Sequence, residues 1–146
     1  MARTNDRHYI IRTAWLYGKT GDNFITKILG QAAVKSEIRV VQDQIGNPTS
    51  VPELIKMIGM IIAEKQYGIY HASSSDEASW YELAKEVMKI KNCNAAVHPI
   101  QSDRLNSPVK RPKYTVLSKK KLADFCGFQP APWDKALSQF LHKEII

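Results

Sequence analysis

The stretch that most constrains this chain is HYIIRTAWLY, residues 8–17. A strand with one wet face alternates apolar and polar side chains, and this one is apolar and β-branched almost throughout. It reads as a buried strand of a parallel sheet, covered on both faces, that runs into a loop and stops at Gly18. Such a strand needs neighbours and two layers of cover. The remaining sequence supplies few strands for it, so the chain reads as though it opens in the middle of a domain.

The elements that follow alternate. After a turn at 19–22, Phe24, Ile25, Ile28, Leu29, Ala32 and Ala33 share one helical face, with Asp22 or Asn23 as N-cap. Ile38 to Gln42 predicts a short strand, and DQIGNPTS (43–50) predicts a loop because Gly46, Asn47 and Pro48 all break regular structure. Ser50 with Glu53, and Pro52 in the first turn, open a helix to about residue 65; Ser79 with Glu82 repeats the capping-box spacing. Between those helices lies a strand at GIYHAS, and Val97 to Ile100 gives another. A basic, proline-containing loop spans 101–117, a short helix runs from Ser118 to Cys126 against Gly127, and Pro132 starts a last helix. Strands alternating with helices define an α/β fold, here with an incomplete parallel sheet.

Composition narrows the partners. The 146 residues carry 21 Lys and Arg against 14 Asp and Glu, a net charge of +7, which directs attention to anions. No apolar run approaches the roughly 18 residues of a membrane span, so no membrane partner is expected. The N-terminus has no signal-like apolar segment, and Cys93 and Cys126 stand apart with no CxxC. Two free thiols in the cytoplasm is the simple reading, and no metal site is expected. Six cations fall within twelve residues (Lys110, Arg111, Lys113, Lys119, Lys120, Lys121), but only Tyr114 is near enough to stack a base, so no nucleic-acid partner is expected. Lys119 to Lys121 open a helix and are expected to face solvent.

Six segments together carry a family resemblance: RTAWLYG (12–18), DNF (22–24), VVQDQIGNPTS (40–50), GIYHASSSDEASWYELA (68–84), KRPKYTVLSKKKL (110–122) and PAPWDKAL (130–137). In order and spacing they resemble the C-terminal half of dTDP-4-dehydrorhamnose reductase, an extended short-chain dehydrogenase/reductase of Rossmann-like fold. The resemblance implies one substrate-binding portion over residues 1–146, with the N-terminal NADP-binding region absent from this chain. It implies a cytoplasmic role in deoxysugar supply, in which hydride passes from NADPH to dTDP-4-dehydro-rhamnose to give dTDP-rhamnose. The Gly-rich cofactor loop and the catalytic Tyr-x-x-x-Lys of that family have no match here. The chain alone is therefore expected to bind no NADP(H), to contain no catalytic residue and to have no reductase activity. Two other readings stay open: a non-catalytic regulatory or binding module of the same fold, and a reductase or epimerase of another nucleotide-sugar.

The resemblance and the residue types nominate the site. Trp15, at the end of the first strand, could stack on the deoxysugar or be a core Trp. Arg12 and Thr13 would border the nicotinamide or merely end the strand. Asn23 could place a helix N-terminus near the diphosphate while capping that helix. Gln44 could reach ribose or base, and Arg111 could grip the diphosphate in bidentate fashion or brace the pocket. Phe24, Trp80 and Trp133 read as packing residues, and the four histidines as structural. The free flank of the first strand could make a homodimer.

Tyr81 and Lys85 fit Tyr-x-x-x-Lys literally, one turn apart on one helical face. Their context is that of the family's downstream SWYE helix, so they are read as part of an ordinary surface helix with Tyr81 packed at its start. Replacing Tyr81 by Phe in a complete enzyme should leave hydride transfer within a few-fold of normal, measured as NADPH oxidation with the keto-sugar.

Overall fold

The computed structural model describes residues 5–105 and 108–143. Three strand pairs are parallel: β1 (Tyr9–Arg12) with β6 (Gly68–His71), β2 (Leu16–Tyr17) with β5 (Thr49–Ser50), and β3 (Glu37–Val41) with β8 (Ala96–Ile100). A fourth, β4 (Ile45–Gly46) with β7 (Ala78–Ser79), is antiparallel. The helices are α1 (Phe24–Ala32), α2 (Val51–Ala63), α3 (Trp80–Ile90), α4 (Lys120–Cys126) and α5 (Trp133–Lys143). The fold is α/β with parallel strand pairs, as the element order predicts. Among the described residues no helix is long and apolar enough to cross a membrane.

Two expectations about strands need correction. The opening segment is two strands, because Trp15 takes a left-handed φ of 45° that ends one and starts the other. Its first three residues are only half-buried, not sealed on both faces. The expected loop 43–50 also contains structure: β4 and β5 lie within it, and most of it is buried.

The packing forms two apolar clusters. Ile25 and Ile28 of α1, Ile38 and Val40 of β3, Leu83 and Val87 of α3, and Leu137 and Phe140 of α5 make the larger. Met57 and Ile61 of α2, Tyr70 of β6, and Leu122 and Cys126 of α4 make the smaller, which covers one face of the β1–β6 pair. Burying each large side chain contributes about 1.5–3 kcal/mol, so each cluster anchors its own strand pair.

The caps follow the sequence with one exception. Asn23 accepts from the Ile25 and Thr26 amides and closes a full box with Thr26. Ser79 and Glu82 close a second. At α2 the Ser50 hydroxyl caps the Glu53 amide, but the Glu53 carboxylate does not return to Ser50. It is buried and instead accepts from the Ala131 amide at 3.0 Å and from Lys56. The exchange ties the entry to α5 onto α2.

The two outer edges of the β1–β6 pair differ. Along β6, Lys121 donates to the Ile69 carbonyl at 3.1 Å and lies 4.1 Å from the centre of the Tyr70 ring. His71 Nδ1 lies 3.1 Å from the Ser118 carbonyl. Lys121 is thus engaged rather than solvent-facing as expected. Lys119 is also partly sheltered, and burial draws its ammonium below the usual lysine range against the pull of Asp76 and Glu77. Along β1, no described residue pairs with the edge away from β6.

Asn47 joins three segments. It is fully buried; its Nδ2 donates to the Asp76 carbonyl at 2.6 Å and its Oδ1 accepts from the Leu117 amide at 2.8 Å. Replacing Asn47 by Ala leaves both backbone partners unsatisfied. It should cost about 2–4 kcal/mol, read as a lowered urea midpoint with unchanged slope.

Candidate functional site

A cleft of about 760 Å³ opens between α1, β3, the start of α3 and residues within 102–105 and 109–113. Its α1 wall is Phe24, Lys27, Ile28 and Gln31, the i, i+3, i+4, i+7 stripe of that helix. Its β3 wall includes Arg39, which alternates with the buried Ile38 and Val40 and therefore faces away from the core. Trp80 stands at the start of α3, and Lys110, Arg111 and Lys113 contribute from the basic segment. The lining thus holds Lys27, Arg39, Lys110, Arg111 and Lys113 against one carboxylate, Asp103. Like charges gathered at a low-dielectric wall focus a positive potential, which suits a multiply charged anion.

The basic segment is held in place from two sides. Ile45 of β4 donates its amide to the Lys113 carbonyl at 2.8 Å, and the Thr115 amide returns to the Ile45 carbonyl at 2.9 Å. Asp43, just before β4, accepts from the Ser102 amide and the Ser102 hydroxyl, each at 2.8 Å, and from Lys113 at 3.3 Å. Burial pushes the Asp43 carboxyl up, but the Ser102 bonds and Lys113 outweigh it and hold the group below its ordinary 3.8.

Of the nominated residues, the structure brings Gln44 and Arg111 together in this cleft. Gln44 is buried at its back and Arg111 is exposed at its rim. Asn23 lies elsewhere, on a smaller hollow of about 310 Å³ lined also by Tyr17, Val51 and Phe140. Its side chain is committed, with Oδ1 capping α1 and Nδ2 donating to the Gly18 carbonyl at 2.9 Å. Trp15 does not line the cleft either. It stacks on Trp80, centroids 3.6 Å apart and planes 6° from parallel, and Trp80 is the member of the pair that faces the cleft. Arg12 and Thr13 are exposed at the end of β1 and line neither hollow. Tyr81 packs beside the core with Lys85 Nζ 5.5 Å from its ring centre, and it too lines neither hollow. Among the described residues no group of three or more His, Cys, Asp or Glu could hold a metal ion.

Sequence reading missed Lys27, Arg39 and Trp80 as cleft residues. The signal for the first was present, since Lys27 sits three positions after Phe24 on one helical stripe. For Arg39 it was the period-two alternation of β3. For Trp80 there was none: only its stacking on Trp15 turns it towards the cleft.

Gly46 explains that stack. A Cβ built on Gly46 would lie 2.4 Å from Cε2 of Trp15 and 2.6 Å from its Nε1. The residue is a glycine here because the indole lies against the backbone, not because a turn needs it.

Comparison with known proteins agrees with this architecture. The fold is that of one half of an extended short-chain dehydrogenase/reductase: it superposes on the NADP complex of dTDP-4-dehydrorhamnose reductase from Bacillus anthracis with a TM-score of 0.89 and 34% identity, covering 97% of this chain and 50% of that one. Residues 1–145 match the model of the RmlD substrate binding domain, and the chain belongs to that family. The spore coat polysaccharide biosynthesis protein SpsK of Bacillus subtilis is 37% identical over 92% of this chain and 47% of its own length. The dTDP-4-dehydrorhamnose reductase of Sinorhizobium fredii is 34% identical over 93% and 50%. The chain spans about half the length of the relatives it matches.

Two outcomes follow from this geometry. Gly46→Ala should drive the Trp15 indole from its place and cost about 1–3 kcal/mol, with loss of the near-ultraviolet dichroism of the stacked indoles. The Asp43 contribution to stability should be complete above its ordinary 3.8 and be lost as pH falls through its depressed value. Urea midpoints followed into acid should therefore fall less steeply for Asp43→Asn than for the parent.

Proposed function

We propose that this chain is the substrate-binding, C-terminal portion of an NADP-dependent dTDP-4-dehydrorhamnose reductase, and that the cation-lined cleft receives the dTDP part of the sugar nucleotide. The observation that carries this reading is the meeting of Gln44 and Arg111, 67 positions apart in the sequence, in one cleft that also gathers Lys27, Arg39 and Lys110. Arg111 offers a planar pair of N–H donors to the diphosphate, and Gln44 offers an amide to ribose or base. Phe24 and Trp80 give the apolar wall. Trp15, three residues beyond the end of β1, stacks on Trp80 and does not itself line the cleft. The deoxysugar would reach the reaction centre past this indole pair.

In the whole enzyme NADPH supplies the hydride, and a Tyr-x-x-x-Lys from the N-terminal half supplies the proton. This chain's part is to bind and orient. The free edge of β1 would take a neighbouring strand from that half or, in the isolated chain, from a second copy; a monomer by sedimentation at tens of micromolar would contradict the second.

Calorimetric titration of the chain with dTDP-rhamnose tests the reading, with NADPH in parallel. Binding of the sugar nucleotide is expected, weakened as NaCl is raised, with no heat from NADPH and no NADPH oxidation when keto-sugar is present. Arg111→Met should weaken binding about tenfold. No binding of the sugar nucleotide, together with stable capture of another enzyme, would favour the regulatory-module reading instead.

A further inference from the structure

We propose that Asp43 is a positioning residue for the anion of this cleft: acting through Ser102 and Lys113, it fixes where Lys110 and Arg111 stand. The inference rests on the reading above and names the residue that makes that site work.

Asp43 is out of place on charge alone. A carboxylate beside a cation-lined cleft weakens the cleft's pull on an anion. It belongs to neither apolar cluster, so packing does not explain it. Its side chain is only 15% exposed, so its desolvation needs compensation. What its oxygens do is specific. One partner is Ser102, held through amide and hydroxyl, and the other is Lys113, two residues beyond Arg111.

The bonds at Ser102 do the work of a helix cap. Residues Ser102–Arg104 form a 3₁₀ turn whose own N-cap, Gln101, makes no side-chain capping bond. Asp43 supplies that cap from 59 residues away in sequence. Lys113 is held twice, by its ammonium on Asp43 and by its carbonyl on the Ile45 amide. Arg111 and Lys110 lie two and three residues before that double anchor. A side chain two or three residues from such an anchor loses less freedom when it grips a ligand than one on a free loop. Asp43 also neutralises Lys113, leaving Arg39, Lys110 and Arg111 as cleft cations for which no ion pair is described.

Charge and positioning predict opposite signs, which makes the test decisive. If Asp43 acts only as a negative charge, removing it tightens anion binding; if it positions, removal weakens it. The experiment is calorimetric titration of dTDP into the chain and into Asp43→Ala, Arg111→Met and the double variant, each checked for an intact unfolding transition. Ser102→Ala, which removes one bond only, serves as a milder variant should Asp43→Ala not fold. Asp43→Ala is expected to bind dTDP about tenfold or more weakly, and Arg111→Met to cost clearly less in that background than in the parent, because an unplaced Arg111 has less to lose. Ser102→Ala should fall between. Unchanged or tighter binding by Asp43→Ala, or losses that simply add, would overturn the inference while the proposed function stands. Failure of the parent chain to bind dTDP would overturn the proposed function and, with it, the role given to Asp43.

Discussion

The arrangement depends on one buried amide. Asn47 has no water to turn to, and each end of its side chain meets a backbone group from a different segment. A buried amide left unpaired is costly, so the segment carrying it is confined to the one place where both partners are present. That place sets β4 between β7 on one side and the bridge to Tyr114 on the other. From β4 the position of the basic segment follows, because Ile45 holds it by backbone bonds in both directions. A single side chain thus carries the reference frame from the core to the rim of the cleft.

The aromatic pair shows strain and close approach used together. Trp15 sits at a φ that a side chain rarely adopts, and such a conformation persists only where surroundings over-determine it. Here they do: Trp80 lies parallel to the indole, and the backbone of Gly46 meets it closely enough to exclude any side chain. The kink that splits β1 from β2 is the same kink that turns the indole to its partner. Phe24 extends the group, tilted against Trp80 at 4.6 Å.

What was legible in the sequence was mostly what a short range can encode. The caps at Asn23 and Ser79, the apolar stripes of α1 and α3 and the stop at Gly127 depend on residues within a turn of one another, and they stand as expected. The exceptions involve distant partners. Glu53 has a capping-box spacing, but a better-placed amide at Ala131 takes its carboxylate. Gly46 and Asn47 look like turn residues and are instead a close-approach glycine and a buried bridge, since neither Trp15 nor Leu117 is near them in sequence. The candidate site was half legible for the same reason. Gln44 and Arg111 were found through the motifs of the family resemblance, whereas the cations of α1 and β3 join them only through the packing of elements.

The contrast between the two flanks of the β1–β6 pair gives the molecule a polarity. On one flank an ammonium occupies a carbonyl that a further strand would need, and it is braced there by aromatic rings. On the other flank no described residue pairs with the backbone of β1. A ribbon with one terminated and one live side can grow in a single direction, as a polymer capped at one end does. Any strand added to this pair must arrive beside Tyr9–Arg12, and its order in the finished sheet is decided before it arrives. Lys121 acts in this sense as a chain terminator, and it removes half of the mispairings otherwise open to an exposed pair of strands.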